Sequence, residues 1–197
     1  MTRAAVPLTD RQRLGWSASL ALTLARVALA PALVVMLVTR QPGYLFAAAL
    51  VVGFLSDVFD GVVARHFHVA TPFLRRLDSA VDIVFYLAVA YAAWRLHPDL
   101  LAPLKWWVAI IIAGEVLNHV VAVAKFGREP SYHAWSAKIW GLLLFVSLLL
   151  LLGAGITMLL PLAIGVGVIA QVEVLAITAV LPAWRHDVPS VWHALHS

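Results

Sequence analysis

The chain has no cysteine, which removes disulfides, thiolate metal sites and thiol nucleophiles together and leaves the compartment open. Charge is scarce as well: only 12% of its 197 residues are Asp, Glu, Lys or Arg, against 63% hydrophobic. A soluble globular domain carries about 25% charged residues, so that class is excluded. No contiguous basic face accompanies the net charge of +4, which excludes a nucleic-acid partner. The eight histidines are scattered, with no spacing that suggests a zinc site. Internal repeats and long polar linkers are absent too, leaving no room for a second domain.

What is present is a series of apolar runs long enough to cross a bilayer, which takes about 20 residues. Six are expected, over about 17–38, 44–64, 78–94, 104–125, 137–154 and 157–182. The fold expected is an all-α integral membrane protein, one six-helix bundle over 1–197. Residues 8–16, with Arg11, Arg13 and Trp16, read as a short N-terminal interfacial helix lying at the headgroups. The first run resembles a secretory signal ending at Ala28-Leu29-Ala30, but Arg26 interrupts it and Pro31 follows directly, so a retained helix is the more economical reading.

Orientation follows from the basic residues. Arg3, Arg11, Arg13, Arg65, Arg75, Arg76, Lys125, Arg128, Lys138 and Arg185 fall on one side, and only Arg40, Arg95 and Lys105 on the other. Positive charge is retained in the cytoplasm, so both termini are expected to be cytoplasmic. The tryptophans, Trp94, Trp106 and Trp107 among them, read as interfacial belts.

Against this apolar background four carboxylates stand out. Asp57 and Asp60 are three apart in the second span, and Asp78 and Asp82 are four apart at the start of the third, so each pair shares one helix face. Carboxylates in a membrane are costly and mark function. Two like charges ~4 Å apart repel by about 4 kcal/mol even at an effective dielectric of ~20, so protons or divalent cations must relieve the cluster. An all-oxygen cage suits Mg2+, Mn2+ or Ca2+ rather than zinc or copper. Asp57 lies eight residues before Arg65, or ~12 Å at 1.5 Å per residue, which sets the cage near the cytosolic headgroups. Gly53, Gly61 and Ala64 share its stripe, either for close helix packing or for a cleft in which a flat ligand reaches the backbone.

The run Asp57-x2-Asp60-Gly61-x2-Ala64-Arg65 followed by Asp78-x3-Asp82 resembles the signature of the CDP-alcohol phosphotransferases. That signature places a glycine four residues before its third aspartate, where this chain has Leu74. The resemblance extends to Thr23, Arg26 and Pro31 in the first span, to Thr71, and weakly to Lys138. It implies transfer of a phosphatidyl-type group from a CDP-linked lipid to an alcohol, or of a phosphoalcohol to a lipid, with release of CMP. Two divalent ions, Mg2+ or Mn2+, would be held by Asp57, Asp60 and Asp78, with Asp82 sharing one and acting as the general base. The nucleotide would lie along Asp57, Asp60, Gly61, Ala64, Arg65 and Asp78. The resemblance also implies a homodimer.

For the acceptor, Arg128 and Lys138 are the candidate cations of a phosphorylated alcohol, although the charge bias of cytosolic loops places such residues there in any case. Glu115, Asn118 and His119, spaced i, i+3, i+4, and Glu173 either line an acceptor cavity or hydrogen-bond between helices. Prenyltransferases with two aspartate-rich motifs fit less well, needing more spans and longer spacing. A divalent-cation transporter and a catalytically silent relative are the other readings.

Overall fold

A capping box starts the first helix: the Gln12 backbone N–H donates to Thr9 Oγ1 at 3.3 Å and the Thr9 N–H to Gln12 Oε1 at 3.1 Å. This computed structural model describes residues 9–69 and 71–196, without the side chains at 72 and 75. Arg3, Leu8 and the side chain of Arg75, which entered the expectations above, lie outside the described residues. Helix α1 runs without a break over Asp10–Val38, passing through Pro31. Residues 10–16 of the expected interfacial helix are thus the opening turns of α1 itself.

The remaining helices are α2 (Gly43–His66), α3 (Pro72–Leu96), α4 (Pro98–Leu101), α5 (Lys105–Phe126), α6 (Trp135–Ala154), α7 (Leu160–Val180) and α8 (Val191–Leu195). A 3-10 turn over Ala102–Leu104 joins α4 to α5. No strand occurs among the described residues. Among the described residues six helical stretches are long and apolar enough to span a membrane: Asp10–Val38, Gly43–His66, Arg76–Leu96, Pro98–Phe126, Trp135–Ala154 and Leu160–Val180. These are the six expected spans, and the chain is a multi-pass membrane protein.

The helices fall into two units, Met1–Leu96 and His97–Ser197, each with its own central helix. In the first, α1 packs along both α2 and α3. Its buried stripe is Gly15, Ser19, Thr23, Arg26, Ala30 and Leu33, a helical period filled by small and polar side chains rather than by a hydrophobic core. Glycine makes two close approaches possible. A Cβ on Gly15 would sit 2.3 Å from Phe67 Cβ, and one on Gly53 would sit 2.1 Å from Phe85 Cζ. Gly53 therefore serves helix packing, seating the buried Phe85 of α3 against α2. Thr71 starts α3, its Oγ1 accepting from the Leu74 N–H at 3.2 Å, with Pro72 at the first helical position.

In the second unit α7 is central and packs on α5, α6 and α8. Gly127 ends α5 and Gly155 ends α6, both in the left-handed conformation with φ of 67°. Polar groups here tie helices together. Asn118 Nδ2 donates to Gln171 Oε1 at 2.7 Å and to the Gln171 carbonyl at 3.1 Å, while Gln171 Nε2 donates to Glu115 Oε2 at 2.9 Å. Glu173 accepts from the Ser136 hydroxyl and from the Val191 N–H, the latter at 3.4 Å. Lys125 Nζ donates to the last carbonyls of α7, Thr178 at 2.9 Å and Ala179 at 2.7 Å. Below them Tyr132, Ala134, Ile177, Leu181, Val188 and Ala194 form an apolar cluster. Outside the spans, hydrogen bonds from His186 and then His133 hold the exposed Asp187 carboxyl below its usual pKa.

Replacing Gly53 with Ala should destabilise the protein by about 1–3 kcal/mol, because the Phe85 ring occupies the space. Adding Phe85→Leu should recover part of that loss, so the double variant is more stable than the sum of the singles predicts. Thermal unfolding in detergent measures both; strict additivity would show that the ring does not press on Gly53.

Candidate active site

The four aspartates converge on one buried cation. Arg26 projects from the buried stripe of α1, with no exposed side-chain surface, and pairs with all four. Its Nη1 donates to Asp57 Oδ1 at 3.3 Å and to Asp82, and its Nη2 to Asp60 Oδ2 at 3.2 Å and to Asp78. The fork geometry of a guanidinium allows one side chain to serve four oxygens. The Arg26 Nε is buried without a partner among the described residues, so there the cost of burying this group is offset through its two terminal nitrogens.

The carboxylates are not equivalent. Asp60 is 7% exposed, and its oxygens accept from the hydroxyls of Ser19 and Thr23, the latter at 2.6 Å, as well as from Arg26. Thr23 and Ser19 thus fix Asp60 from α1. Asp57, Asp78 and Asp82 retain 35%, 32% and 27% of their side-chain surface, so they form the accessible wall of the site.

Oxygens of Asp57, Asp78 and Asp82 lie within 4.8 Å of one another. Oxygens bound to a common ion at about 2.0–2.6 Å span distances of that size. One guanidinium against four carboxylates leaves a large negative excess, which a hard divalent cation is suited to offset. The donor set therefore fits a metal, and its accessible members are three of the four aspartates expected from sequence. Asp60 stands apart from that trio, committed to α1.

The rest of the expected site divides by element. Gly61, Ala64 and Arg65 continue the face of α2 beyond Asp60, and the Arg65 guanidinium folds back so that a Cβ on Gly61 would meet its Nη1 at 3.2 Å. Leu74 is 5% exposed, packed within the first unit at the start of α3. Arg128 and Lys138 belong to the second unit, where each lies 4.9 Å from an indole ring, Arg128 over Trp184 and Lys138 over Trp135. Glu115, Asn118 and Glu173 carry the interhelical bonds described above, and His119 Nδ1 lies 3.0 Å from the Glu115 carbonyl oxygen.

Sequence reasoning did not place Ser19 in the site, and Arg26 and Thr23 entered it only through resemblance. A signal was available. Arg26 is a charge within an apolar span, which requires a buried partner, and Ser19, Thr23 and Arg26 fall at i, i+4 and i+7 on one face. Replacing Arg26 with Gln should lower stability by about 3–5 kcal/mol in chelator, because the carboxylates lose their protein counter-ion. Added Mg2+ should restore more of that loss than it adds to the unsubstituted protein. Thermal unfolding with and without the ion reads both, and equal metal gains would show that Arg26 does not balance the cluster.

Comparison with known proteins agrees with the geometry. The model of the family described as CDP-alcohol phosphatidyltransferase matches residues 16–184, a range that contains Ser19, Arg26 and all four aspartates. No curated protein and no solved structure matches the chain. The family implies CDP-alcohol phosphatidyltransferase activity in phospholipid synthesis, and the family is known to be metal-dependent. By signature, span count and the family match across most of its length, the chain belongs to the CDP-alcohol phosphatidyltransferase family.

Proposed function

We propose that the protein transfers a phosphatidyl-type group from a CDP-linked lipid to a small alcohol, with a lean towards a phosphorylated acceptor, and releases CMP. The observation that carries this reading is the convergence of Asp57, Asp78 and Asp82, with oxygens within 4.8 Å of one another, inside a chain of this family. Asp57, Asp60, Asp78 and Asp82 would hold two divalent ions, Mg2+ or Mn2+. When bound, these supply positive charge for the diphosphate and for the oxygens entering and leaving phosphorus.

Asp82 takes the proton from the acceptor hydroxyl. It is the carboxylate of the accessible wall placed one turn along α3 from Asp78, with 27% of its side-chain surface exposed, so it meets solvent and cluster together. The acceptor oxygen then bonds to the lipid-linked phosphorus, and the bond from that phosphorus to the CMP oxygen breaks, its electron pair leaving with CMP. Asp57, Asp60 and Asp78, with Gly61, Ala64 and Arg65 along α2, orient the nucleotide diphosphate. Arg26 keeps the four carboxylates together throughout. Leu74 narrows the nucleotide side of the site relative to a glycine.

Arg128 and Lys138 would receive the phosphate of the acceptor. Both termini and the site would face the cytosol, which the excess of Lys and Arg on that side supports. The chain would act as one catalytic domain, in line with a family match that runs through both units, and as a homodimer, as the family resemblance implies.

Purified protein given a CDP-linked diacylglycerol, Mg2+ or Mn2+ and a panel of alcohols should release CMP only with metal and one class of acceptor. No release with any alcohol from folded protein would overturn the reading and point to Leu74 at the donor site. Asp82→Asn should lower turnover by about 100-fold or more; turnover close to that of the unsubstituted protein would show that the base lies elsewhere. Lys138→Gln should raise the KM for a phosphorylated acceptor with little change in kcat; an unchanged KM removes Lys138 from the pocket.

A further inference from the structure

The first unit carries a second polar site at the opposite end of its helices. Arg26 and Arg40 are fourteen residues apart along α1 and its cap, and Asp82 and Arg95 thirteen apart along α3. At 1.5 Å per residue each separation is about 20 Å, most of the ~30 Å hydrocarbon thickness. There the ends of α1 and α3 line a half-open cavity of about 400 Å3. Val34 and Leu37 contribute to its apolar wall, and Arg40, Gln41, Tyr91 and Arg95 contribute its polar groups. These two arginines are among the few basic residues on the side of the membrane where such residues are depleted. They meet in one cavity.

Neither arginine is neutralised by a carboxylate among the described residues. Arg95 Nη1 donates to Tyr91 Oη at 3.3 Å, and its guanidinium lies 5.9 Å from the Tyr91 ring centre, which steadies the fork without cancelling its charge. Arg40 occupies a position that favours glycine. Its φ is 53°, and the bonds from the Arg40 N–H to the Leu37 carbonyl at 3.2 Å and from the Gln41 N–H to the Met36 carbonyl at 2.9 Å are those of a Schellman cap. An arginine there accepts a conformational cost that a glycine would avoid. Val35 and Val38, on the same turn of α1, are exposed and continue the apolar surface to the lipid.

We propose that Arg40 and Arg95, with Tyr91 and Gln41, bind the phosphate of an anionic phospholipid in the leaflet opposite the aspartate cluster. Two guanidiniums match a phosphodiester in charge and in fork geometry. The apolar wall beside them selects a phosphate attached to acyl chains over a free one. A lipid held there bridges the ends of α1 and α3, the helices that supply Arg26, Asp78 and Asp82 about 20 Å further along.

The test is thermal stability of the full chain in detergent titrated with phosphatidylglycerol, with phosphatidylcholine or with inorganic phosphate. Phosphatidylglycerol should raise the midpoint in a saturable way, and the other two should not. Arg40→Gln with Arg95→Gln should weaken the apparent affinity about tenfold. Arg40→Gly guards against a variant that merely misfolds, since glycine suits the cap: it should retain or raise the lipid-free midpoint yet bind the lipid measurably more weakly. An unchanged response in both variants overturns the site. So does an equal response to phosphatidylcholine, which would show no anion preference, or to inorganic phosphate, which would show that no lipid is needed.

Discussion

One guanidinium surrounded by four carboxylates is the constraint on which the first unit depends. Arg26 is wholly buried on α1, while its partners come from α2 and α3. Removing Arg26 would leave carboxylates repelling one another in a poorly solvated setting, and removing the carboxylates would strand a buried cation. Neither half is tolerable without the other. The helix positions are therefore tied by charge where a soluble protein would use an apolar core.

That tie explains the composition of α1. A helix packed on two neighbours ordinarily buries Leu, Ile and Val, yet the buried stripe here contains Gly15, Ser19, Thr23, Arg26 and Ala30. Small residues let the α2 and α3 backbones approach, and the two hydroxyls satisfy Asp60. Large apolar side chains go outward instead, as at Leu24, Val27 and Val34, where lipid rather than water receives them. Burial and hydrophobicity are decoupled because lipid is as apolar as a core.

The same decoupling decides what the sequence makes legible. Six spans and the acidic motif are plain, since the first depend on run length and the second on charges that an apolar environment penalises. All four aspartates meet, as their spacing on two helices implies. What spacing alone could not convey is the partner: the distance in sequence from Arg26 to Asp82 is long, and nothing local in α1 shows which neighbour its polar stripe meets. The start of α1 was hard to read for another reason. Arg11, Arg13 and Trp16 carry interfacial chemistry, but the Thr9 and Gln12 capping box makes them the first turns of the spanning helix itself. Gly53 was ambiguous between packing and a ligand cleft because both use a missing side chain, and only the Phe85 ring decides it.

The second unit shows the other use of polar groups in an apolar solvent. Gln171 joins Asn118 to Glu115, Glu173 reaches Ser136 and the start of α8, and Lys125 closes the end of α7. Each of these groups finds a neutral or backbone partner, and no cluster of three acidic groups forms here among the described residues. In the first unit the account is different, because four carboxylates share one guanidinium and the deficit cannot be met by the neighbouring hydroxyls. Single carboxylates held by neutral donors fasten helices; four crowded onto one guanidinium demand a further cation. The crowding of charge, rather than the mere presence of acidic residues in a membrane, is what singles out the aspartate cluster.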